Sequence, residues 1–550
     1  MTKHRNSRKR SPLQHQNPAA PGQAGESCDQ DPGIRHEATS TLETAETSPY
    51  PTRAVHRRDF LSAELFGNEA GDDEDLEVLN SYFLDKADFD RFYSPDCKLS
   101  IVRSRKGVGK SALLKQTLYR RQKAQKGELL IYVKASDLIA LQDVKTDTPA
   151  ALVYGWQQRI CTQINLELGA ILNFGFTDDK MLLIESSELA GFRNRNIVGA
   201  LVDRLKIKGL GAEVERSRVP ISNSQAVLER VLGQHEITVW LFIDDVDSTF
   251  LNTESERLKA STFFSACRNL VSVVNGLCIR AAVRTDVWSV LAQHDEAMDK
   301  CEQYMLDLSW STEETGRILQ NKILSFFRRT YPDDPRYAEF NPIEDGRAIR
   351  RIVFKELFPW GAGRLVDSFR PIHILSAGRP RWAAQLCKLA AKDAYRSMNS
   401  LITVNHIHDV MQSYGKFRID DLYKEHRHQC AVLKDIVESF SGGRKRYDTV
   451  HLLEHIADKI IRRIGVPNID GVTAPDGPLT VAHFLFRCGF IAARDDSDPS
   501  GLGFVHFEDR PNLLTSHANL DDGLVWEIHP SYRYVLRIQG NRTAEGFSFD

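Results

Sequence analysis

The sequence predicts an α/β fold: a parallel sheet covered by helices on both faces, followed by a helical region and a small mixed module. Three observations carry that reading. Short apolar runs recur between helical stretches: KLSIV (98–102), LLIYV (129–133), WLFID (240–244) and LCIRAAV (277–283). Unbroken apolar runs of this length mark strands buried on both faces. A glycine-rich segment, Ser104-Arg-Lys-Gly107-Val108-Gly109-Lys110-Ser111, joins the first run to the helical stretch that begins at Ala112. Beyond about 310 the pattern turns helical, and the chain closes with three helical stretches and a β-hairpin.

Taken in order, residues 1–58 are rich in Pro, Ser, Thr, Gln, Glu and Arg and poor in large apolar residues. Such a segment cannot offset its ordering entropy by burial and reads as a disordered, solvated tail. DEDLEVLNSYFLDKADFDRFY (73–93) spaces Leu76, Leu79, Phe83 and Phe89 for one or two amphipathic helices. ALLKQTLYRRQKAQKG (112–127) is a helix ending at Gly127, and ERLKASTFFSACRNLVSVV (256–274) separates the third and fourth strands. About 140–235 is longer than one crossover helix needs, which predicts a helical insertion inside a core spanning 59–310. A helical region covers 311–424. From 425 to 550, helical stretches at 431–440, 448–464 and 479–489 precede the hairpin GFIAAR–FVHFED and the segment WEIHPSYRYVL (526–536). Three helices and then a hairpin is the winged-helix order.

Composition narrows the function. A chain of 550 residues allows three to four domains. Its 42% hydrophobic and 27% charged content is that of a well-cored protein. The formal charge of −2 shows no global basic excess, so any nucleic-acid contact must come from a local patch. No run of about 18 apolar residues predicts a transmembrane helix. The basic start MTKHRNSRKR has no apolar stretch behind it, which argues against a secretory signal and a membrane location. Nine scattered cysteines without a CxxC pair read as reduced, cytoplasmic thiols. HExxH, GxSxG and GxGxxG are absent, which leaves metalloprotease, α/β-hydrolase and Rossmann readings weak.

The glycine-rich segment has the P-loop context of strand before and helix after. Gly107 and Gly109 let successive backbone N–H groups converge on phosphate oxygens, and Val108 and Ala112 complete the loop and its exit. Lys110 would bridge the β- and γ-phosphates, and Ser111 would hold Mg²⁺. The pattern's first glycine is Ser104 here. The second element, Trp240-Leu-Phe-Ile-Asp244-Asp245-Val-Asp247, is an apolar strand ending in carboxylates. Asp244 would ligate Mg²⁺ and Asp245 would act as general base on the attacking water. LLIESSEL (182–189) is a weaker competitor with a helix-like context. The fourth strand ends in Arg284-Thr285-Asp286, where a polar side chain can sense the γ-phosphate. Gly378-Arg379-Pro380-Arg381 opens a helix, and Arg379 or Arg381 can reach phosphate from there.

This order of P-loop, IDDVD, polar-tipped fourth strand, helical lid with GRPR and winged-helix-like unit resembles the AAA+ ATPases. Within them it is most similar to the STAND and ORC/Cdc6-like branch. The lead-in FGNEAGDDEDLEVLNSYF before SRKGVGKSAL and the ending WEIHPSYR resemble a bacterial ORC/STAND-like group found among phage-defence genes. The likeness spans about 60–540. It implies an AAA+-type P-loop NTPase with helical insertion, helical lid and winged-helix-like domain, using ATP and Mg²⁺. Lys110, Ser111 and Asp244 would hold nucleotide and metal, with Asp245 and Arg284 catalytic. Asp-Asp stands where many members carry Asp-Glu, which predicts slow hydrolysis. Arg257, Arg268 and Arg280 all remain candidates for an arginine finger from a neighbouring subunit. The partner implied is a second copy of the chain or a separate effector protein, and the function an ATP-driven switch in antiviral defence.

DNA is the alternative partner. In a winged helix the third helix lies in the major groove. Here LTVAHFLFRCG offers only His483 and Arg487, and the wing carries DDSD, which phosphate repels. Basic clusters at GGRKRY (442–447) and KIIRRIG (459–465) supply phosphate contacts, yet protein docking or autoinhibition is the preferred role. The stretch 496–508 has Asp496, Asp498 and Gly501 in calcium-loop fashion, but Phe507 replaces the terminal Glu, so it reads as a turn. His529 reads as structural.

Overall fold

A computed structural model describes residues 56–538 apart from 70, 72, 125–127, 139–147, 172–182, 185–186, 188–223, 236, 248–249, 251–252, 361–363, 473, 496–502, 508–509 and 520–522. The tail expected over 1–58 therefore lies outside the described residues up to 55. Arg57 already opens a 3-10 turn, Arg57–Leu61, that buries Asp59 and Phe60.

Five parallel strands form the central sheet: β1 (Leu99–Ser104), β2 (Glu128–Lys134), β3 (Thr238–Asp244), β4 (Leu277–Arg284) and β5 (Met305–Asp307). Their order is β2-β3-β4-β1-β5. Four of the five fall on the apolar runs of the sequence. The two-residue period decides the layers. Val239, Leu241 and Ile243 of β3 join one core, whereas Trp240 and Phe242 join the core on the other face. On the second face lie α1 (Leu76–Tyr82) and α2 (Lys110–Ala124), the latter contributing Leu113 and Leu114. The first face is covered by α3 (Pro149–Ile171), α4 (Ser224–His235), α5 (Glu254–Val273) and α6 (Thr285–His294). Truncating a fully buried residue such as Leu241 costs about 2–5 kcal/mol. Most of the expected insertion, including five of the eight residues of LLIESSEL, lies outside the described residues; Leu183, Ile184 and Ser187 are helical, and α3 and α4 border the insertion.

Beyond β5, α7 (Thr312–Thr330) opens with a capping box between Ser311 and Glu314. The region is not purely helical. An antiparallel ribbon, β6 (Leu357–Trp360) and β7 (Arg364–Asp367), interrupts it because Phe358 and Trp360 bury their rings while Leu365 faces outward. Then come α8 (Phe369–Leu375), α9 (Pro380–Arg396) and α10 (Met411–His426).

The last module has three helical segments: α11 (Leu433–Glu438), α12 (Thr449–His455, continued by a π-helical turn Ile456–Ile461 and Arg462–Ile464) and α13 (Gly477–Arg487). They pack on an antiparallel sheet ordered β10-β9-β11-β8, from β8 (Arg446–Tyr447), β9 (Ile491–Asp495), β10 (Gly503–Val505) and β11 (Val525–Ile528). The tip with the calcium-like pattern lies outside the described residues over 496–502. Every residue of α13 from Val481 to Arg487 is buried. The helix expected in the groove-reading position thus faces the protein, so the major-groove rationale does not hold. His483 Nδ1 pairs with Leu513 O at 2.9 Å, and Arg487 donates to Gly471 O and Ser289 Oγ. His529 is buried and pairs with Ser531 Oγ at 2.8 Å. Among the described residues no helix is long and apolar enough to cross a membrane.

Candidate nucleotide-binding site

A cavity of about 390 Å³ opens at the carboxyl ends of the strands, where α/β sheets place their ligands. Gly107, Val108, Gly109, Lys110, Ser111 and Ala112 line it, together with Asp244, Asp245, Asp247, Arg284 and Arg381. The loop is shaped by two left-handed glycines, Gly107 at φ 80° and Gly109 at φ 124°. A Cβ on Gly107 would lie 3.1 Å from Arg381 Cβ. Ser104 is different: it ends β1 in register with Arg284 of β4 and has no positive φ, so the missing glycine imposes no strain. Trp310 Nε1 donates to Val108 O at 2.8 Å, and Arg381 N donates to Gly107 O at 3.2 Å. Lys110 Nζ donates to Ser104 O and Arg105 O at 3.1 and 3.3 Å. Burial lowers the Lys110 pKa, opposed by the carboxylates of Asp247 and Asp286.

From β3 come the acidic groups. Asp244 is buried; Tyr132 Oη donates to its Oδ2 at 2.7 Å, and Asp245 N donates to its Oδ1 at 2.9 Å. Asp245 adopts φ 55°, a conformation Asp tolerates better than most residues. Its carboxylate is more exposed and stands 4.0 Å from Lys134 Nζ. Asp247 was not assigned a role from sequence. It accepts the Arg284 backbone N–H, and burial raises its pKa against the pull of Arg284 and Lys110. Arg284 Nη2 donates to Asp286 Oδ2 at 2.9 Å. Burial opposes the Arg284 charge, but Asp286 and Asp247 together raise its pKa.

The two GRPR arginines separate. Arg381 lines the cavity, whereas Arg379 is 2% exposed, with its guanidinium 4.0 Å above the Trp382 ring and 2.7 Å from Glu425 Oε2. Arg379 Nη1 also donates to Lys106 O at 3.3 Å, so it braces the loop from beneath rather than lining the cavity. Of the arginine-finger candidates, Arg280 is fully buried, caged by Phe92 and Trp240 and donating to Phe92 O and Ser94 O. It cannot reach a neighbouring subunit.

Residues far along the chain complete the surround, and sequence reading missed them. Lys106 N donates to Glu425 Oε1 at 3.4 Å, His428 Nε2 stands 3.5 Å from Asp286 Oδ2, and Arg105 Nη2 donates to Arg487 O at 3.2 Å. Burial lowers the His428 pKa to about 4. The end of α10, the segment that follows it, and α13 of the C-terminal module thus contact the P-loop and Asp286 directly. No local motif announces these contacts. An apolar stretch of the cavity wall comes from Leu79, Tyr82, Phe83, Leu84, Trp310 and Ile318, and Asn68, Glu69, Lys106 and Lys322 add polar groups to the lining.

These residues fit a nucleotide with Mg²⁺. The left-handed glycines and the α2 N-terminus make a phosphate cradle. Among the described residues no three His, Cys, Asp or Glu side chains converge as a metal cage. That suits Mg²⁺, which takes one or two protein oxygens and otherwise phosphate and water. Ser111 and Asp244 are the side chains that would hold it, with Asp245 and Asp247 also lining the cavity.

The sheet order and the loop define an α/β P-loop NTPase fold of the AAA+ type. No protein-family model matches the chain, and no curated protein matches it in sequence. Among solved structures it is similar to an Aeropyrum pernix ORC2 protein in ADPNP–ADP complexes, at 12% identity and a TM-score of 0.37, covering 84% of this chain and 90% of that one. A Drosophila ORC bound to DNA follows at 11% identity and a TM-score of 0.30, covering 92% of this chain and 97% of that chain.

Proposed function

We propose that the protein is an ATP-driven molecular switch that binds ATP with Mg²⁺ and hydrolyses it to ADP and phosphate. One observation carries this: a single cavity holds the glycine-shaped loop with Lys110 and Ser111, the β3 carboxylates Asp244 and Asp245, and the cations Arg284 and Arg381. Loop N–H groups and Lys110 bind the phosphates, and Arg381 adds charge-assisted contacts. Bound Mg²⁺ supplies neutralisation of phosphate charge. Asp244 and Ser111 hold it, while Asp245, free of metal duty and facing the cavity, accepts a proton from water. Arg284 senses the γ-phosphate from a position it shares with Asp247 and Asp286. Because Glu425, His428 and Arg487 contact this machinery, a change at the phosphates has a direct route to the C-terminal module.

The output of the switch is an altered association with a second copy of the chain or a separate effector protein. Its setting is bacterial antiviral defence, a reading that rests on the resemblance of the acidic lead-in and the WEIHPSYR ending, and places the protein in the cytoplasm. The test is turnover: Asp245→Asn is expected to keep ATP affinity and lose hydrolysis. Unchanged hydrolysis moves the base elsewhere.

A DNA-coupled ATPase is the second reading. The exposed basic side chains Arg444, Lys459, Arg462 and Arg463 favour it, as sequence-independent phosphate contacts. The burial of α13 restricts it to that mode.

A further inference from the structure

Lys322 is a lysine on α7 that the phosphate machinery does not use, yet it lines the same cavity. It is only 6% exposed. Its Nζ donates to Asn68 O at 3.3 Å and lies 4.9 Å from the Tyr82 ring centroid. Among the described residues this is its one hydrogen bond, its stem packs on Gly67, and no carboxylate pairs with it within ion-pair distance. An ammonium has three donors, and among the described residues two of them have no hydrogen-bond acceptor in a largely desolvated place. Leaving donors unmet there is costly unless a ligand meets them. The neighbouring wall is apolar and aromatic: Leu79, Tyr82, Phe83 and Ile318. Such a wall suits a flat heterocycle.

We propose that Lys322 is the base-reading residue of this site, donating to a ring nitrogen of adenine. Asn68 O, 3.3 Å from Nζ, places an acceptor beside the donor. Adenine presents the complement at N1 and again at N7, each an acceptor next to the N6 amine. The inference rests on the nucleotide reading above and names the base of that ligand. Burial also lowers the pKa of this amine to about 8, against the pull of Glu74, so it still carries its proton at neutral pH.

The test is competition binding on the full chain with five probes: ATP, GTP, inorganic tripolyphosphate, and two ATP analogues with carbon at position 1 or at position 7. Lys322→Met is expected to weaken ATP by roughly tenfold or more, the worth of one charge-assisted hydrogen bond. Tripolyphosphate, which has no base, should change less than about twofold, while Lys110→Ala weakens both. Thermal melting reports whether each variant folds. On the wild-type chain, one of the two analogues should bind more weakly than ATP, and that difference should vanish in Lys322→Met. ATP affinity unchanged in Lys322→Met, both analogues equal to ATP, or GTP preferred over ATP would each overturn the inference. Lys110→Ala keeping tripolyphosphate overturns instead the P-loop reading on which it rests.

Discussion

Glu425 and Arg379 meet at 2.7 Å with side chains 2% and 3% exposed, and both hold Lys106 of the P-loop, the carboxylate through its N–H and the guanidinium through its carbonyl. Burial alone would raise the Glu425 pKa, but Arg379, His426 and Arg284 together outweigh it and the pKa is lowered. The pair joins α9 and the end of α10 to the loop that binds phosphate.

Glu425→Ala therefore strands a buried guanidinium. A loss of about 3–5 kcal/mol is expected from urea unfolding, because breaking a buried pair leaves an uncompensated charge. The sign with pH follows. A carboxyl lowered on folding contributes stability above its unfolded pKa and loses it as pH falls. Wild-type stability should thus fall below about pH 4.5 more steeply than that of Glu425→Gln. Identical acid limbs would contradict the pair's role.

Asp245→Asn should leave ATP affinity within about threefold and slow single-turnover hydrolysis by roughly 10²–10⁴, the range of general acid–base catalysis. Asn tolerates the φ of 55° and so preserves the turn. Quench-flow measurement of phosphate release checks it; wild-type rates would show that Asp245 is not the base.

Lys322→Met should fold more stably even as it loses the base. Burial lowers this amine from an ordinary value near 10.5 to about 8. The folded state then binds fewer protons than the unfolded chain between those values, so stability rises with pH across that window, and below it the full cost is present. Removing the charge is expected to gain about 1–3 kcal/mol at pH 7, read by urea melts. A destabilised variant would mean that the amine holds structure.

If DNA is a partner, replacing Arg444, Lys459 and Arg463 together with Ala should weaken duplex binding for all sequences alike and flatten its salt dependence by up to about three charges. Unchanged affinity and slope would remove the DNA reading.

The sheet and the phosphate loop were legible because their signals are local. Four apolar runs mark β1 to β4, whereas β5 is only Met305–Asp307 and too short to show a pattern. IDDVD carried Asp244 and Asp245 in plain view, yet only the fold reveals that Asp247 fixes Arg284. GRPR marked two arginines for phosphate contact, but the motif could not say that Arg381 lines the cavity while Arg379 does not. Pro380 starts the helix and sends Arg379 beneath, to a Glu425 that lies 46 residues on. Lys322 had a signal that went unread: a lone lysine among Ile318, Leu319, Ile323 and Phe326 on a helix face destined for the core. The winged-helix order was legible, but burial of its third helix depends on long-range packing that no local pattern encodes.

The central claim is that a nucleotide lies on the loop from Ser104 to Ser111. Equilibrium titration of a fluorescent ATP analogue with Mg²⁺, on the wild-type chain and on Lys110→Ala, addresses it most directly. The wild type is expected to bind saturably and to release the probe to unlabelled ATP, with Lys110→Ala weakened by at least about tenfold, consistent with a lost charge-assisted phosphate contact. Equal affinity in the two proteins would contradict the account.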